Sequence, residues 1–596
     1  MRSISPLCLG AALAAASVSV EATAAVVEAA PDANPAARTA ALHENPQWVA
    51  TATRGFLNPR QLRTFAVEPA REAKAGEAAH IVVAMKARDF GQLRDLAAAV
   101  TRPADPNYHK FLTPETFLER FAPTPRQIER VVAHLRQNGF INIQVSKNRM
   151  LISADGTAGT VKTAFRTPLV HFRRNGRAAY ANAAAAQVPQ ALGESVMAVL
   201  GLQNITRAHT MARIGPRTPP ANAGGGTAIG HDPLEFPGIY NAATLPSAEN
   251  TTVGIITIGG ATQAASDLSQ FTSANNLPPV NVSAVRSGNP DGNYADDPDG
   301  QVEWDLDSQS IVGAAGGALG GLVFYEADLD AGNAGLTQAF NQAVTDNQAK
   351  VINVSLGWCE ADANADGTLA TEEQIFTAAV AQGQTFSVSS GDEGAYECNN
   401  RGYPDGSNYS LSWPASSPHV VAVGGTTLFT GGNGGYASET VWNEGLDQNG
   451  KLWASTGGLS AYLPAPSWQR SLAVSPRPTN RAVPDIAFDA AQSTGALIRV
   501  GGEVMQVGGT SLSSPLFVGF WARLQSARDN GLGFPASSIY ASVGATPSLV
   551  HDVTAGNNGY NGNGYVAGSG WDYPTGWGSF DMARLAAYIE RHPFAR

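Results

Sequence analysis

The chain has 596 residues, 39 Lys+Arg against 50 Asp+Glu, and a formal net charge of −11. At roughly 150 residues per domain this is a multi-domain length, and 43% hydrophobic residues exclude a disordered chain. Only 15% of residues are charged and there are just three cysteines, which excludes a disulfide framework and a four-cysteine zinc site, while the acidic balance argues against a nucleic-acid binder. Met1-Arg2, an apolar run over 6–13 and Ala22-Thr23-Ala24 predict a secretory signal peptide over residues 1–24, with an N-terminal membrane anchor as the rival. Cys8 leaves with such a signal, so Cys359 and Cys398 remain. No later segment has about 18 uninterrupted apolar residues, so no membrane association is expected after signal removal.

Residues 60–205 predict a small α+β module. Ala79–Met85 reads as a strand, and Thr113-Pro114 and Thr124-Pro125 each pair an N-cap with proline at the first helical position. The second helix places Ile128, Val131, Val132 and Leu135 on one face, and 140–145 and 150–153 alternate as paired strands. Residues 206–230, rich in Gly and Pro, read as an exposed processing linker. From Thr252 onward short apolar runs at 253–258, 322–325, 351–356, 385–388 and 420–423 are separated mostly by helix-length segments such as 309–320, 336–347 and 372–382. Buried strands alternating with helices predict an α/β, doubly wound, mostly parallel sheet. Charge follows the same division. Residues 1–215 hold 25 Lys+Arg and 15 Asp+Glu (+10), leaving 14 and 35 (−21) for 216–596. The halves are expected to attract at neutral pH and to loosen as carboxylates protonate.

Three motifs carry chemistry. Gly508-Gly509-Thr510-Ser511 precedes a helix, where glycines permit a tight turn that exposes a serine hydroxyl; ordinary capping explains it equally well. Glu303 and Asp307 stand four apart on one helical face, where like charges repel, although acids also suit a first helical turn. Ser390-Gly391-Asp392 ends a predicted buried strand, and a plain Gly-Asp turn is its competing explanation. Histidines after residue 215 (His231, His419, His551, His592) lack a triad context, which disfavours a histidine-based serine protease.

Taken together, Glu303-x-x-x-Asp307, Ser390-Gly391-Asp392 and Gly509-Thr510-Ser511-x-x-x-Pro515 resemble the signature of the sedolisin, or serine-carboxyl, peptidases. The resemblance covers about 225–596, and 60–205, including Tyr108–Glu115, resembles the family's activation pro-domain. It implies a subtilisin-like catalytic domain over 231–596 behind a ferredoxin-like pro-domain. It makes Ser511 the nucleophile, Glu303 its base, Asp307 the partner of Glu303, and Asp392 a protonated oxyanion donor, a combination suited to acid pH. The implied protein is a secreted, acid-acting endopeptidase that processes itself from a zymogen. Its partners are protein or peptide substrates and its own pro-domain, as intramolecular inhibitor and chaperone, and it acts as a monomer. A tripeptide-releasing aminopeptidase and an inactive calcium-stabilised binding protein are the alternatives.

One structural Ca²⁺ is implied at Asp552 and Asp572 with backbone oxygens of Val553, Gly568 and Gly570, since hard oxygen donors suit that ion. Asp362-x-Asn364-x-Asp366-Gly367 followed by Glu373 fits a twelve-residue calcium-loop pattern, with a polar surface loop as the stronger reading. Cys359 and Cys398 are expected to form a disulfide at the active-site rim, free thiols being the alternative. Glu393, Glu397 and Arg401 are candidates for the specificity pocket. Ser355, Leu356 and Gly357 are expected to pair with extended substrate as an added strand.

Overall fold

Ile81 to Met85 are fully buried in sequence, as a strand covered on both faces requires. In a computed structural model, which describes residues 47–56, 71–174, 177–215, 226–399, 406 and 408–592, this run is the centre of β1 (Ala78–Met85). With β2 (Ile141–Val145), β3 (Leu151–Thr157) and β4 (Val196–Leu200) it forms an antiparallel sheet ordered β2-β3-β1-β4. Helices α1 (Phe90–Val100), α2 (Pro114–Arg120) and α3 (Pro125–Gln137) lie between β1 and β2, and α4 (Ala158–Phe165) lies between β3 and β4. That order is the expected ferredoxin-like arrangement. Thr113 and Thr124 cap α2 and α3 as their sequences predict, the latter through a capping box with Gln127. Of the predicted face of α3, Ile128, Val131 and Leu135 are buried and Val132 is only half-buried. The expected signal peptide lies outside the described residues.

Two short strands, β5 (His209–Thr210) and β6 (Arg213–Gly215), lead to the second sheet. It comprises β7 (Ala248–Ile258), β8 (Val282–Ser287), β9 (Leu319–Ala327) and β10 (Val351–Val354), then, after β11 (Leu356–Cys359), β12 (Thr385–Ser389), β13 (Val421–Thr430), β14 (Tyr436–Val441) and β15 (Ile486–Asp489). The order is β8-β9-β7-β10-β12-β13-β14, with β15 also on β13. Every pairing is parallel except β13 with β14. The doubly wound expectation therefore holds. Helix α5 (Gln301–Ala314) begins earlier than the apolar pattern suggested and stops at Ala314, because Gly316 and Gly317 take φ of 79° and 82° and turn the chain into β9.

Past β9 come α6 (Gly332–Asp346), α7 (Glu360–Asp366) and α8 (Thr368–Ala381). The possible second calcium loop at 362–373 is the end of α7, Gly367 and the start of α8, so its carboxylates do not converge. Asp362 accepts from Thr206 Oγ1 (2.6 Å), Asp366 accepts from Thr368, and Glu373 binds His419 and Ser417 (2.6 Å each). Strand β16 (Glu503–Gly508) precedes α9 (Thr510–Ser526), which is buried along its whole length.

The first sheet's helices dock on α8. Leu93, Leu112, Phe117 and Phe121 join one apolar cluster with Ile375 and Phe376. Leu112 N–H donates to the Ala381 carbonyl (2.8 Å), Ala87 N–H donates to Gln374 Oε1 (2.9 Å), and Asn148 and Asn341 exchange side-chain hydrogen bonds (2.7 and 3.2 Å). Among the described residues no helix is long and apolar enough to cross a membrane.

Candidate active site

The spacing of Glu303 and Asp307 puts both carboxyls on the inner face of α5, where both are fully buried. Ser511 sits in the first turn of α9, behind Gly509 at φ 96°, and Asp392 follows Gly391 at φ 118° beyond the end of β12. All four residues meet at the carboxyl end of the sheet, where doubly wound folds keep their sites.

Asp307 Oδ1 accepts from Ser355 Oγ (2.6 Å). Ser355 in turn accepts from Asn353 Nδ2 (3.0 Å), and Asn353 Oδ1 accepts from Ser514 Oγ (2.7 Å). Ser355 therefore directs its side chain to Asp307. Asp392 Oδ1 accepts from Thr510 N–H (2.9 Å) and Oγ1 (2.8 Å). Ser511 Oγ completes no hydrogen bond in this conformation, yet its hydroxyl lies near enough to Glu303 to favour the ionised carboxylate.

Burial dominates the site's acidities. It pushes Glu303 up to about 8 against the lowering effect of Ser511 and the backbone N–H groups of Ala212 and Met211. Burial, then the charge of Glu303, raises Asp307 well above the ordinary carboxylate range. Burial raises Asp392 to about 7, opposed chiefly by the Arg213 guanidinium. Burial and mutual repulsion therefore favour a shared proton on the Glu303–Asp307 pair.

The linker supplies the largest surprise. Instead of lying exposed throughout, residues 209–215 run through this site. His209 and Thr210 in β5 pair antiparallel with Gly357 and Leu356 of β11, and Arg213, Ile214 and Gly215 in β6 pair with Gly508, Val507 and Gln506 of β16. Leu356 and Gly357, expected to pair with substrate, here hold a strand of the chain itself. Between β5 and β6, Met211 is fully buried. Its N–H and that of Ala212 both donate to Glu303 Oε2 (2.8 and 2.7 Å).

Two glycines make room for this passage. A Cβ on Gly509 would collide with the Met211 carbonyl oxygen, and one on Gly357 would strike the Met211 methyl. Arg213 lies 3.1 Å from Asp392 Oδ2 and 3.6 Å from Glu393 Oε1, with its guanidinium 3.8 Å from the centre of the Trp453 ring. His209 Nε2 is 3.5 Å from Glu393 Oε1 and 3.8 Å from Glu397 Oε1. Ligand atoms of His209, Glu393 and Glu397 lie within 4.8 Å of one another, a group that could also hold a metal ion. Burial alone would raise Glu393, but His209, Glu397 and Arg213 together hold it well below the usual range. The predicted pocket residues Glu393 and Glu397 therefore face the strap, while Arg401 lies outside the described residues.

Cys359 and Cys398 form the expected disulfide. The other histidines are engaged away from Ser511: His231 with Glu235 (3.1 Å), His419 with Glu373 (2.6 Å), and His551 stacked on Tyr436 (3.8 Å). Reading along the chain missed His209, Met211 and Arg213. Their alternation in Ala208-His209-Thr210-Met211-Ala212-Arg213-Ile214, just before the proline- and glycine-rich run, was the available strand signal.

In the C-terminal loop, Asp552 Oδ2 accepts from Gly570 N–H (2.9 Å) and Asp572 Oδ2 from Gly568 N–H (2.8 Å). Burial raises Asp572 to about 7, opposed by Gly568 and Thr575 and reinforced by the charge of Asp552. Two close carboxylates, one buried and poorly stabilised as an anion, fit a hard divalent cation.

Residues 68–205 match the family described as Pro-kumamolisin, activation domain, and residues 307–578 match the Subtilase family. The chain is 63% identical to Sedolisin of Pseudomonas sp. (strain 101), over 92% of this chain and 93% of that protein. It is 49% identical to Xanthomonalisin of Xanthomonas sp. (strain T-22), over 86% of this chain and 65% of that one. A solved structure of Pseudomonas sedolisin, a serine-carboxyl proteinase complexed with two molecules of pseudo-iodotyrostatin, superposes with a TM-score of 0.61 at 68% identity. That match covers 62% of this chain and all of the other.

Proposed function

Because the chain belongs to the sedolisin family of serine-carboxyl peptidases, we propose that it is a secreted, acid-acting endopeptidase that processes itself from a zymogen. In this reading residues 1–24 are the signal peptide, 60–205 the activation pro-domain, 206–230 the processing linker and 231–596 the peptidase domain. Ser511 Oγ attacks the peptide carbonyl as Glu303 takes its proton. Asp307 keeps a proton and steadies the charge on Glu303. Protonated Asp392 donates to the oxyanion, a role that only the neutral acid can fill.

One observation carries the endopeptidase reading. A continuous segment lies extended on both sides of Glu303, paired with β11 before it and β16 after it. A groove that accepts chain in both directions suits cleavage within a polypeptide rather than release of tripeptides from an end. The values near 8 and 7 for Glu303 and Asp392 belong to the groove filled by residues 209–213. Removing that segment hydrates Glu303, relieves the burial behind its shift and moves the working range toward acid.

Asp552 and Asp572, with carbonyl oxygens of Val553, Gly568 and Gly570, would hold one Ca²⁺. The ion would neutralise the paired carboxylates and clamp the loop. Chelation is expected to lower the melting temperature without altering the catalytic residues' pH profile.

The test is cleavage of a peptide with a blocked N-terminus, followed across about pH 3–8. Internal cleavage with a bell-shaped acid optimum is expected, and Ser511→Ala should reduce turnover by at least about 10³-fold. A maximum at neutral pH would overturn the acid assignment, and resistance of the blocked peptide would overturn endo-action.

A further inference from the structure

Residues 208–215 do more than cover the site, because their backbone meets Glu303 and Gly509 and Arg213 meets Asp392. We propose that Met211–Ala212 is the first peptide bond that the precursor cuts in itself. The proposal rests on the catalytic roles assigned above to Ser511, Glu303 and Asp392.

Five observations converge on that bond. On its amino side, His209 and Thr210 are held as an antiparallel strand against Gly357 and Leu356. The Met211 side chain is fully buried, with its methyl against Gly357. The Met211 carbonyl oxygen packs against Gly509, beside Asp392 Oδ2, on the side from which an oxyanion donor must act. The Ala212 nitrogen, which would leave, is 2.7 Å from Glu303 Oε2, so the group that removes the serine proton can return it to the departing amine. On the far side, Arg213 to Gly215 are held by β16. Neighbouring bonds lack this combination: Thr210 and Arg213 lie within the paired strands rather than at the gap between them.

The step balances with the groups present. Ser511 Oγ forms a bond to the Met211 carbonyl carbon while its proton passes to Glu303, and Asp392 donates a hydrogen bond to the oxygen that gains charge. Collapse breaks the bond from Met211 carbon to Ala212 nitrogen, and Glu303 returns the proton to that nitrogen, leaving a free Ala212 amine. Water then attacks the Met211–Ser511 ester, giving up its proton through Glu303 to Ser511 Oγ, and the Met211 carboxylate is released. The same contacts name the preferred surroundings of a cut. A basic group two residues before the one that bears the new carboxylate matches Glu393 and Glu397, and an arginine second after the cut matches Asp392, Glu393 and the Trp453 ring.

Because Glu303 keeps its own proton below about 8 while the strap fills the groove, purified full-length precursor is incubated at steps across about pH 4–9, and the earliest fragments are identified by intact mass and N-terminal sequencing. The expected first products are a leader ending at Met211 and a chain beginning at Ala212, formed at a rate that does not change on dilution. In parallel, processed enzyme is given the synthetic octapeptide of residues 208–215, and the expected cut is between Met and Ala. Ala212→Pro removes the N–H held by Glu303 and restricts the residue before it, and should slow this first cut at least about 100-fold. If the first Ser511-dependent cut falls elsewhere, or if the octapeptide is cut at another bond, the assignment is overturned while the catalytic reading stands. Undiminished processing in Ser511→Ala would instead overturn the catalytic reading itself.

Discussion

The leader touches the catalytic half in two physically different ways. The body of the first sheet docks through neutral groups: the Leu112 backbone on Ala381, Ala87 on Gln374, an Asn148–Asn341 amide pair, and apolar side chains against Ile375 and Phe376. The strap over 209–213 meets its partners through charge, with His209 and Arg213 set among Asp392, Glu393 and Glu397. The opposite net charges of the two halves, +10 and −21, thus meet most closely at the carboxyls of the candidate site, while the docking of the body uses apolar burial and neutral hydrogen bonds.

The largest effect expected is on stability against pH. Buried carboxyls are raised under both regions: Glu303 to about 8 and Asp392 to about 7 beneath the strap, Glu372 to about 8 and Asp366 to about 7 on α7 and α8 near the body. The folded state therefore binds more protons than the unfolded chain between pH about 4.5 and 8. The stability these groups contribute is fully present below about pH 4 and is lost as pH rises through about 7 to 8. Melting of Ser511→Ala precursor from about pH 5 to 9 should show a steady decline, and a melting temperature that rises over that range would contradict the burial of these acids.

Separating the two contacts is the next step. Leu112→Ala removes a buried side chain from the docking cluster and should cost about 2–5 kcal/mol, lowering hydrogen-exchange protection of the body while the amides of Met211 and Ala212 keep more of theirs. Arg213→Ala should do the reverse with a smaller effect, about 1–3 kcal/mol, by leaving Asp392 and Glu393 without their cation. It should also raise the apparent pKa of Asp392, whose largest opposing influence is that guanidinium. Equal loss of protection in both regions from either change would show that body and strap open as one unit.

Much of the site was legible along the chain because its determinants are local. A spacing of four puts Glu303 and Asp307 on one helical face whatever surrounds the helix. Glycine before Thr510-Ser511 and before Asp392 marks positive-φ turns that few other residues adopt. The α+β module and the parallel sheet likewise follow from their apolar runs and the helices between them. The apparent calcium loop at 362–373 failed for a related reason: its acids match a ligand pattern, but Glu360–Asp366 and Thr368–Ala381 fold as two helices and aim them at Thr206, Thr368 and His419 instead.

What the amino-acid order determined by itself was the set of catalytic residue types, their local backbone and the layering of each sheet, since these depend on neighbours within a turn or a strand. Only the tertiary structure decided that Ser355 serves Asp307 and that the linker returns to fill the groove it helps to close. Met211 and Glu303 are 92 positions apart, and Asp392 and Thr510 are 118 apart. Contacts at such separations are selected by packing and burial of the whole chain, and no short pattern encodes them.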